Sequence, residues 1–97
     1  MFRAIAPQWL TNDAGIEISS VDRNTMQYRD GERVLFLYCD TVVASDGRFG
    51  SAILLPRDAH WQPPFEQERI DSFIRATIEK NLLDAWRVVD YWITIED

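Results

Sequence analysis

The sequence predicts an α+β fold in which an antiparallel β-sheet of about five to six strands carries one long helix on one face. Two observations predict it. Short alternating apolar and polar stretches separated by turn residues fill the first half of the chain. A helical repeat of apolar residues then spans about residues 64–83, and a C-terminal strand follows. The chain is the size of one domain and has no linker or internal repeat, so we interpret residues 1–97 as a single domain.

The first predicted strands lie near the N-terminus. "FRAIA" is typical of a short strand or an ordered arm, and "GIEISSV" alternates as a half-buried strand does. Asp30-Gly31 is a hairpin turn dipeptide between two apolar runs. Residues 34–39 after it are apolar on both faces, which predicts a central strand covered on both sides.

A second hairpin is predicted from "TVVASDGRFGSAILLP". Residues 42–44 and 51–55 form its strands, and "SDGRFG" supplies the turn. Pro56 ends the second strand because proline has no N–H to donate to a ladder. "RDAHWQ" is then a connecting loop.

The predicted helix starts at Pro64, where the missing N–H of proline costs little. Asp71 and Arg75 are four residues apart on its polar face, in the favourable acid-first order. The residues of its apolar face recur at helical spacing: Ile70, Phe73, Ile74, Thr77, Ile78, Asn81 and Leu82.

The C-terminal "WRVVDYWITIED" permits two interpretations. Its alternation from residue 89 to 95 and its β-branched and aromatic residues favour a strand. A continuing helix over part of residues 86–95 is the alternative.

The sequence lacks a catalytic constellation. His60 is the only histidine and Cys39 the only cysteine, so neither a zinc cluster nor an internal disulfide can be assembled. Cys39 lies in an apolar strand, where a thiol behaves as a small hydrophobe. The carboxylates show no spacing that makes any two of them converge. We therefore expect no enzymatic activity and no catalytic residue, cofactor or metal.

Charge and hydropathy limit the class of partner. The formal net charge of −6 argues against non-specific nucleic-acid binding and favours a basic partner. No apolar run approaches the length of a membrane span, and the N-terminus does not resemble a secretory signal, so a cytoplasmic protein is expected. Among four tryptophans, Trp86 and Trp92 are expected in the core, whereas Trp61 either caps the core or forms an exposed anchor.

The segment "HWQPPFEQERIDSFIRATIEKNL" completes a recognisable pattern. Trp61, the two prolines and the amphipathic helix follow the hairpin "MQYRDGERVLFLYCD" and the strand "SAILLP". In this order, over residues 16–83, the chain resembles a family of small bacterial immunity proteins paired with polymorphic toxins, the immunity-protein family numbered seventy-four. The resemblance implies a protein that binds and neutralises a cognate toxin by stoichiometric interaction and has no catalytic residues.

We expect the partner to be the cognate toxin, with a basic nuclease suited to the acidic charge, and the protein itself to be a monomer or homodimer. The predicted contact residues lie in or near loops: Asp40, Asp46, Arg48, Asp58 and Trp61. Two other hypotheses stay open. One is a generic assembly subunit or homodimeric adaptor without enzymatic activity, and the other is a small enzyme or ligand-binding domain that uses acidic residues and His60.

Overall fold

A computed structural model describes all 97 residues as one mixed sheet and one helix. In chain order the elements are β1 (Arg3–Ala6), β2 (Trp9–Thr11), β3 (Ile16–Asp22), β4 (Thr25–Asp30), β5 (Arg33–Val43), β6 (Phe49–Leu54), α1 (Ser72–Val88) and β7 (Trp92–Glu96). The predicted α+β fold with a C-terminal strand is confirmed. The sheet has seven strands rather than five to six, partly because the segment after β1 turns back and pairs as β2.

The order of the strands in the sheet is their order in the chain. The first six form an antiparallel meander, and β7 pairs in parallel with β6. A parallel neighbour requires a crossover connection, and α1 lies within that connection. The helix therefore covers one face of the sheet, which we call the inner face, and leaves the opposite outer face without a layer.

The hairpin between β4 and β5 forms where the sequence predicts it. Asp30 pairs with Arg33 across a two-residue turn, and Gly31 adopts a φ of 63°, which glycine tolerates without a steric penalty. β5 then continues without interruption to Val43, so residues 42–43 extend the central strand and do not form a strand of their own.

The prediction that β5 is covered on both faces is wrong. Leu35, Leu37 and Cys39 are buried against the helix side, but Phe36 and Tyr38 on the other side are 46% and 52% exposed. The physical reason is that a single helix can cover only one face of the sheet.

The predicted start of the helix at Pro64 is also wrong. α1 begins at Ser72, and the Asp71 carboxylate accepts a hydrogen bond from the Ile74 N–H at 2.8 Å as its N-cap. The preceding segment forms no helix and docks onto the sheet, where the Gln62 N–H donates to the Val34 carbonyl at 2.8 Å.

The predicted apolar face is confirmed for Ile78 and Leu82, which are buried, and for Ile74, which packs against the core, but Phe73 and Thr77 are exposed. The fully buried stripe extends further toward the C-terminus. It consists of Ile78, Leu82, Ala85 and Trp86, whereas Phe73 in the first turn is 79% exposed. The helix reaches Val88, five residues beyond the predicted end at residue 83. The continuing-helix interpretation is therefore correct for residues 86–88, and the strand interpretation is correct for the residues of β7.

Arg75 joins the helix to the end of β6. It forms no pair with Asp71, which is occupied as the N-cap. Its guanidinium donates to the carbonyls of Leu55 and Pro56 and lies 3.4 Å from Glu79. The start of α1 is thus fixed against the chain that leaves β6.

The core is a single layer between α1 and the inner face. Strand pairing aligns Leu10, Ile18, Tyr28 and Leu35 in one row across four strands, and all four are buried. Asn81 of the helix donates to the Tyr28 hydroxyl at 2.9 Å, which satisfies a polar atom inside this layer.

Candidate functional site

The outer face of the sheet carries a continuous band of apolar side chains. Strand alternation and register place its members on β5, β6 and β7: Val34, Phe36, Tyr38, Val42, Ala52, Leu54 and Trp92. Tyr38 and Leu54 are direct neighbours across the strands, and Leu54 is 39% exposed. We call this set the outer-face band.

Trp92 lies flat at one end of the band because its neighbour is a glycine. Gly50 is its register partner, and a Cβ at Gly50 would overlap the Trp92 ring. The indole Nε1 donates to the Arg48 carbonyl at 3.2 Å and fixes the ring in this position. Trp92 is therefore a half-buried residue of the outer face, and the prediction that it lies in the core is wrong. The same prediction for Trp86 is confirmed, since Trp86 is buried in the core.

Acidic groups border the aromatic members of this face. The Tyr38 hydroxyl donates to Asp40 at 2.8 Å, and this hydrogen bond to a carboxylate raises the pKa of Tyr38. On the same face, near the β1 edge of the sheet, the Trp9 indole donates to Glu17 at 3.0 Å. Each of these two aromatic side chains is thus paired with a carboxylate on the outer face.

The structure places Asp40, Asp46 and Arg48 on one hairpin, and the last two pair at its tip. The Arg48 guanidinium is 2.9 Å from Asp46, and the Arg48 backbone N–H donates to the same carboxylate at 3.1 Å. These hydrogen bonds lower the pKa of Asp46, with the backbone bond as the larger cause.

The other two predicted contact residues lie elsewhere. Asp58 is exposed in the loop that follows β6, at the end of the strand opposite the hairpin tip. Trp61 is 3% exposed, and its ring centroid is 6.4 Å from that of Tyr28. Trp61 thus packs in the core, as one of its two interpretations predicted, and presents no surface as an anchor.

Sequence reasoning missed Phe36 and Leu54 as surface residues. The signal was present, since residues 34–39 are apolar on both faces. That pattern has two meanings: a second covering layer within the chain, or a surface available to another molecule.

An open groove of about 790 Å³ lies on the inner face beyond the C-terminal end of α1. Met26, Cys39, Trp86 and Tyr91 form its floor and wall, and the Tyr91 and Ser51 hydroxyls are 2.7 Å apart within it. Burial, with a smaller contribution from Asp22 and Asp40, raises the pKa of Cys39. The sulfur is consequently a neutral thiol at pH 7, which is the unreactive form.

The remaining polar side chains form no converging catalytic arrangement. His60 is exposed in a loop, and its Nδ1 lies 3.2 Å from the carbonyl of the adjacent Trp61. No three histidine, cysteine, aspartate or glutamate side chains gather in a way that would hold a metal ion. The outer-face band is a continuous exposed surface that the core does not use.

Comparison of the chain with protein-family models, with curated proteins and with solved structures gave no match. The resemblance to the immunity family accordingly stays a prediction. α1 lacks the length and apolar character that crossing a membrane would require.

Proposed function

We propose that this protein is an immunity protein that binds a cognate bacterial toxin in the cytoplasm and neutralises it by stoichiometric contact, without enzymatic activity of its own. The observation that carries the proposal is the outer-face band, an exposed aromatic and aliphatic surface on a sheet face that no part of the chain covers.

The composition of the band suits protein recognition. Large aromatic side chains supply much of the binding energy of protein interfaces, and apolar surface is most useful when it is held rigidly before binding. Phe36 and Tyr38 project from the longest strand of the sheet, and Trp92 is fixed by its indole hydrogen bond. Their positions are set by the strand ladders, so association orders few additional side chains.

The charge around the band favours a basic partner. Register places three acids on the outer face, Glu17, Asp40 and Glu96, against two cations, Arg3 and Arg29. Together with the net charge of −6, this arrangement would attract a basic toxin such as a nuclease and accelerate its encounter. Occupation of the toxin's basic substrate surface would then mask its active site.

The central test is co-expression with the product of the adjacent gene, followed by measurement of toxicity and of complex formation. Phe36→Ala should weaken the complex by about 30-fold, the equivalent of about 2 kcal/mol for a central aromatic contact. Phe73→Ala is the matched control, because Phe73 is an exposed phenylalanine on the helix, away from the band. Its affinity should equal that of the unmodified protein.

Two results would refute the proposal. One is an adjacent gene product that is harmless alone or forms no complex with this protein. The other is an unchanged affinity of the Phe36→Ala variant, which would place the interface elsewhere.

The electrostatic part of the proposal has its own measurement. Association should slow steeply as salt is raised from about 0.05 to 0.5 M, since screening shortens the range of the attraction. Asp40→Asn should lower the association rate at low salt more than Asp13→Asn, because Asp40 contacts Tyr38 of the band whereas Asp13 is an exposed acid near the β1 edge. An association rate that does not change with salt would remove the argument for a basic partner.

A further inference from the structure

The two edges of the sheet differ in how well they are protected from pairing with another chain. At the β1 edge, the register shifts between Ala4 and Ala6, and Arg3 adds a charge. Such irregularities are the usual means by which an edge strand avoids association. β7 at the other edge has five residues in unbroken register with β6 and contains neither a bulge nor a proline.

The backbone of β7 leaves a defined set of groups unpaired within the chain. The Leu55 N–H donates to the Glu96 carbonyl at 2.7 Å, so the backbone groups of Glu96 point toward β6. Successive residues of a strand direct these groups to opposite sides. Ile93 and Ile95 therefore direct their N–H and C=O groups away from β6, toward the open edge.

We propose that this edge binds a second copy of the same chain, with the two β7 strands antiparallel about a twofold axis at Thr94. In this register Ile93 lies opposite Ile95 of the second copy, and each such pair exchanges two hydrogen bonds. The two pairs form four hydrogen bonds and satisfy every outward backbone group of Ile93 and Ile95 in both copies. The sheets then join into one.

The side chains of β7 fit this register on both faces. Ile93 and Ile95 are half-buried on the inner face, and pairing would extend the core across the junction. Leu83 of the helix, 41% exposed and next to Ile93 in a surface depression, would gain cover from the second copy. On the outer face Thr94 would meet its own copy, and Trp92 would lie opposite Glu96.

Repulsion between the two Glu96 carboxylates does not oppose this contact strongly. The two Glu96 carboxylates would lie at opposite ends of the paired strands, about 14 Å apart at a rise of about 3.4 Å per residue. That separation exceeds the screening length of about 8 Å at physiological salt. The neighbouring Asp97 is paired with Arg57 at 2.9 Å.

Sedimentation velocity between about 1 µM and 1 mM, the affinity range of small interfaces, tests the proposal. The unmodified protein should shift from monomer to dimer within this range. Thr94→Arg should weaken dimerisation by at least tenfold, because it places like charges directly opposite each other at the axis. Thr41→Arg, at an exposed position of the interior strand β5, makes the same charge change and should leave dimerisation intact.

A cysteine at the axis supplies a second readout that does not depend on weakening the protein. Facing residues of a non-hydrogen-bonded antiparallel pair lie within the Cα separation that a disulfide spans. Thr94→Cys should therefore form a covalent dimer under mild oxidation, and Thr41→Cys should not.

A protein that stays monomeric at 1 mM, a Thr94→Arg variant that dimerises normally, or equal cross-linking of the two cysteine variants would each overturn the proposal. Phe36→Ala should dimerise like the unmodified protein, since its side chain lies away from the edge. Loss of toxin binding and loss of dimerisation can thus be distinguished.

Discussion

Trp92 and Gly50 show how a single missing side chain determines the shape of a surface. The indole ring occupies the space in which any Cβ at residue 50 would lie, and its Nε1 reaches the Arg48 carbonyl. The sequence indicated a large aromatic at residue 92 and a glycine in "RFGSA", but they are 42 positions apart. Their contact depends on the β6–β7 register, which no local pattern specifies.

Gly50→Ala should destabilise the protein by about 1 to 3 kcal/mol, the usual cost of overpacking, because the new methyl group displaces the Trp92 ring. The free energy of unfolding in urea measures this loss. In a Trp92→Ala background the same substitution should cost less, since the ring is gone, but part of the cost should remain because the new Cβ also overlaps the backbone carbonyl oxygen of residue 92. Equal costs in the two backgrounds would contradict the close contact.

The start of α1 shows why helix boundaries were difficult to predict from this sequence. Pro63 and Pro64 form one helix-start signal. Asp71, directly before the first helical residue Ser72, forms a second one. The second is the true start. Segment 62–71 instead docks on the sheet through the Gln62 hydrogen bond and through Arg33, which pairs with Glu68 at 2.8 Å. These contacts are long-range, so local sequence could not rank the two signals.

Asp71→Ala should destabilise the protein by about 1 kcal/mol, because the first turn of α1 loses the acceptor for the Ile74 N–H. Glu66→Ala is the control for removal of an exposed carboxylate in the same segment and should change the free energy of unfolding by less than about 0.5 kcal/mol. If both variants had the same stability, Asp71 would not be the cap.

The strand elements were predicted more successfully than the helix boundaries. Turn dipeptides and alternation located β3, β4 and β6 because both signals are local. These local signals could not show whether the outer side of β5 is covered, since that depends on how many helices and sheets pack together in the whole fold.

At the scale of the whole molecule, the inner layer contains two ionisable groups that folding keeps neutral. Burial is the main cause that raises the pKa of both Tyr28 and Cys39. A raised pKa for a group that is neutral when protonated means that the folded state holds its proton to higher pH than the unfolded state does. The resulting stability is complete below the unfolded pKa and is lost as pH rises through the folded pKa.

The free energy of unfolding should thus decline above roughly pH 8.5, where an unfolded thiol begins to ionise, and more steeply above about pH 10, where an unfolded phenol does. Urea titrations from pH 7 to 10.5 measure the decline, and Cys39→Val should flatten its first part. Salt at about 0.5 M provides the control, because it screens repulsion among surface acids but leaves the burial effect. A constant stability over this range would show that neither group is desolvated.

The agreement between strand order and chain order has a consequence for biosynthesis. Each strand from β2 to β6 pairs with the strand made just before it, so every hairpin can close as soon as its second half leaves the ribosome. Only β7 joins across an intervening helix, so its partner β6 is synthesised well before it. Until β7 arrives, the nascent chain exposes the edge of β6, including the backbone groups of Ser51 and Ile53. Pairing of β7 is therefore the step that covers this edge of the growing sheet.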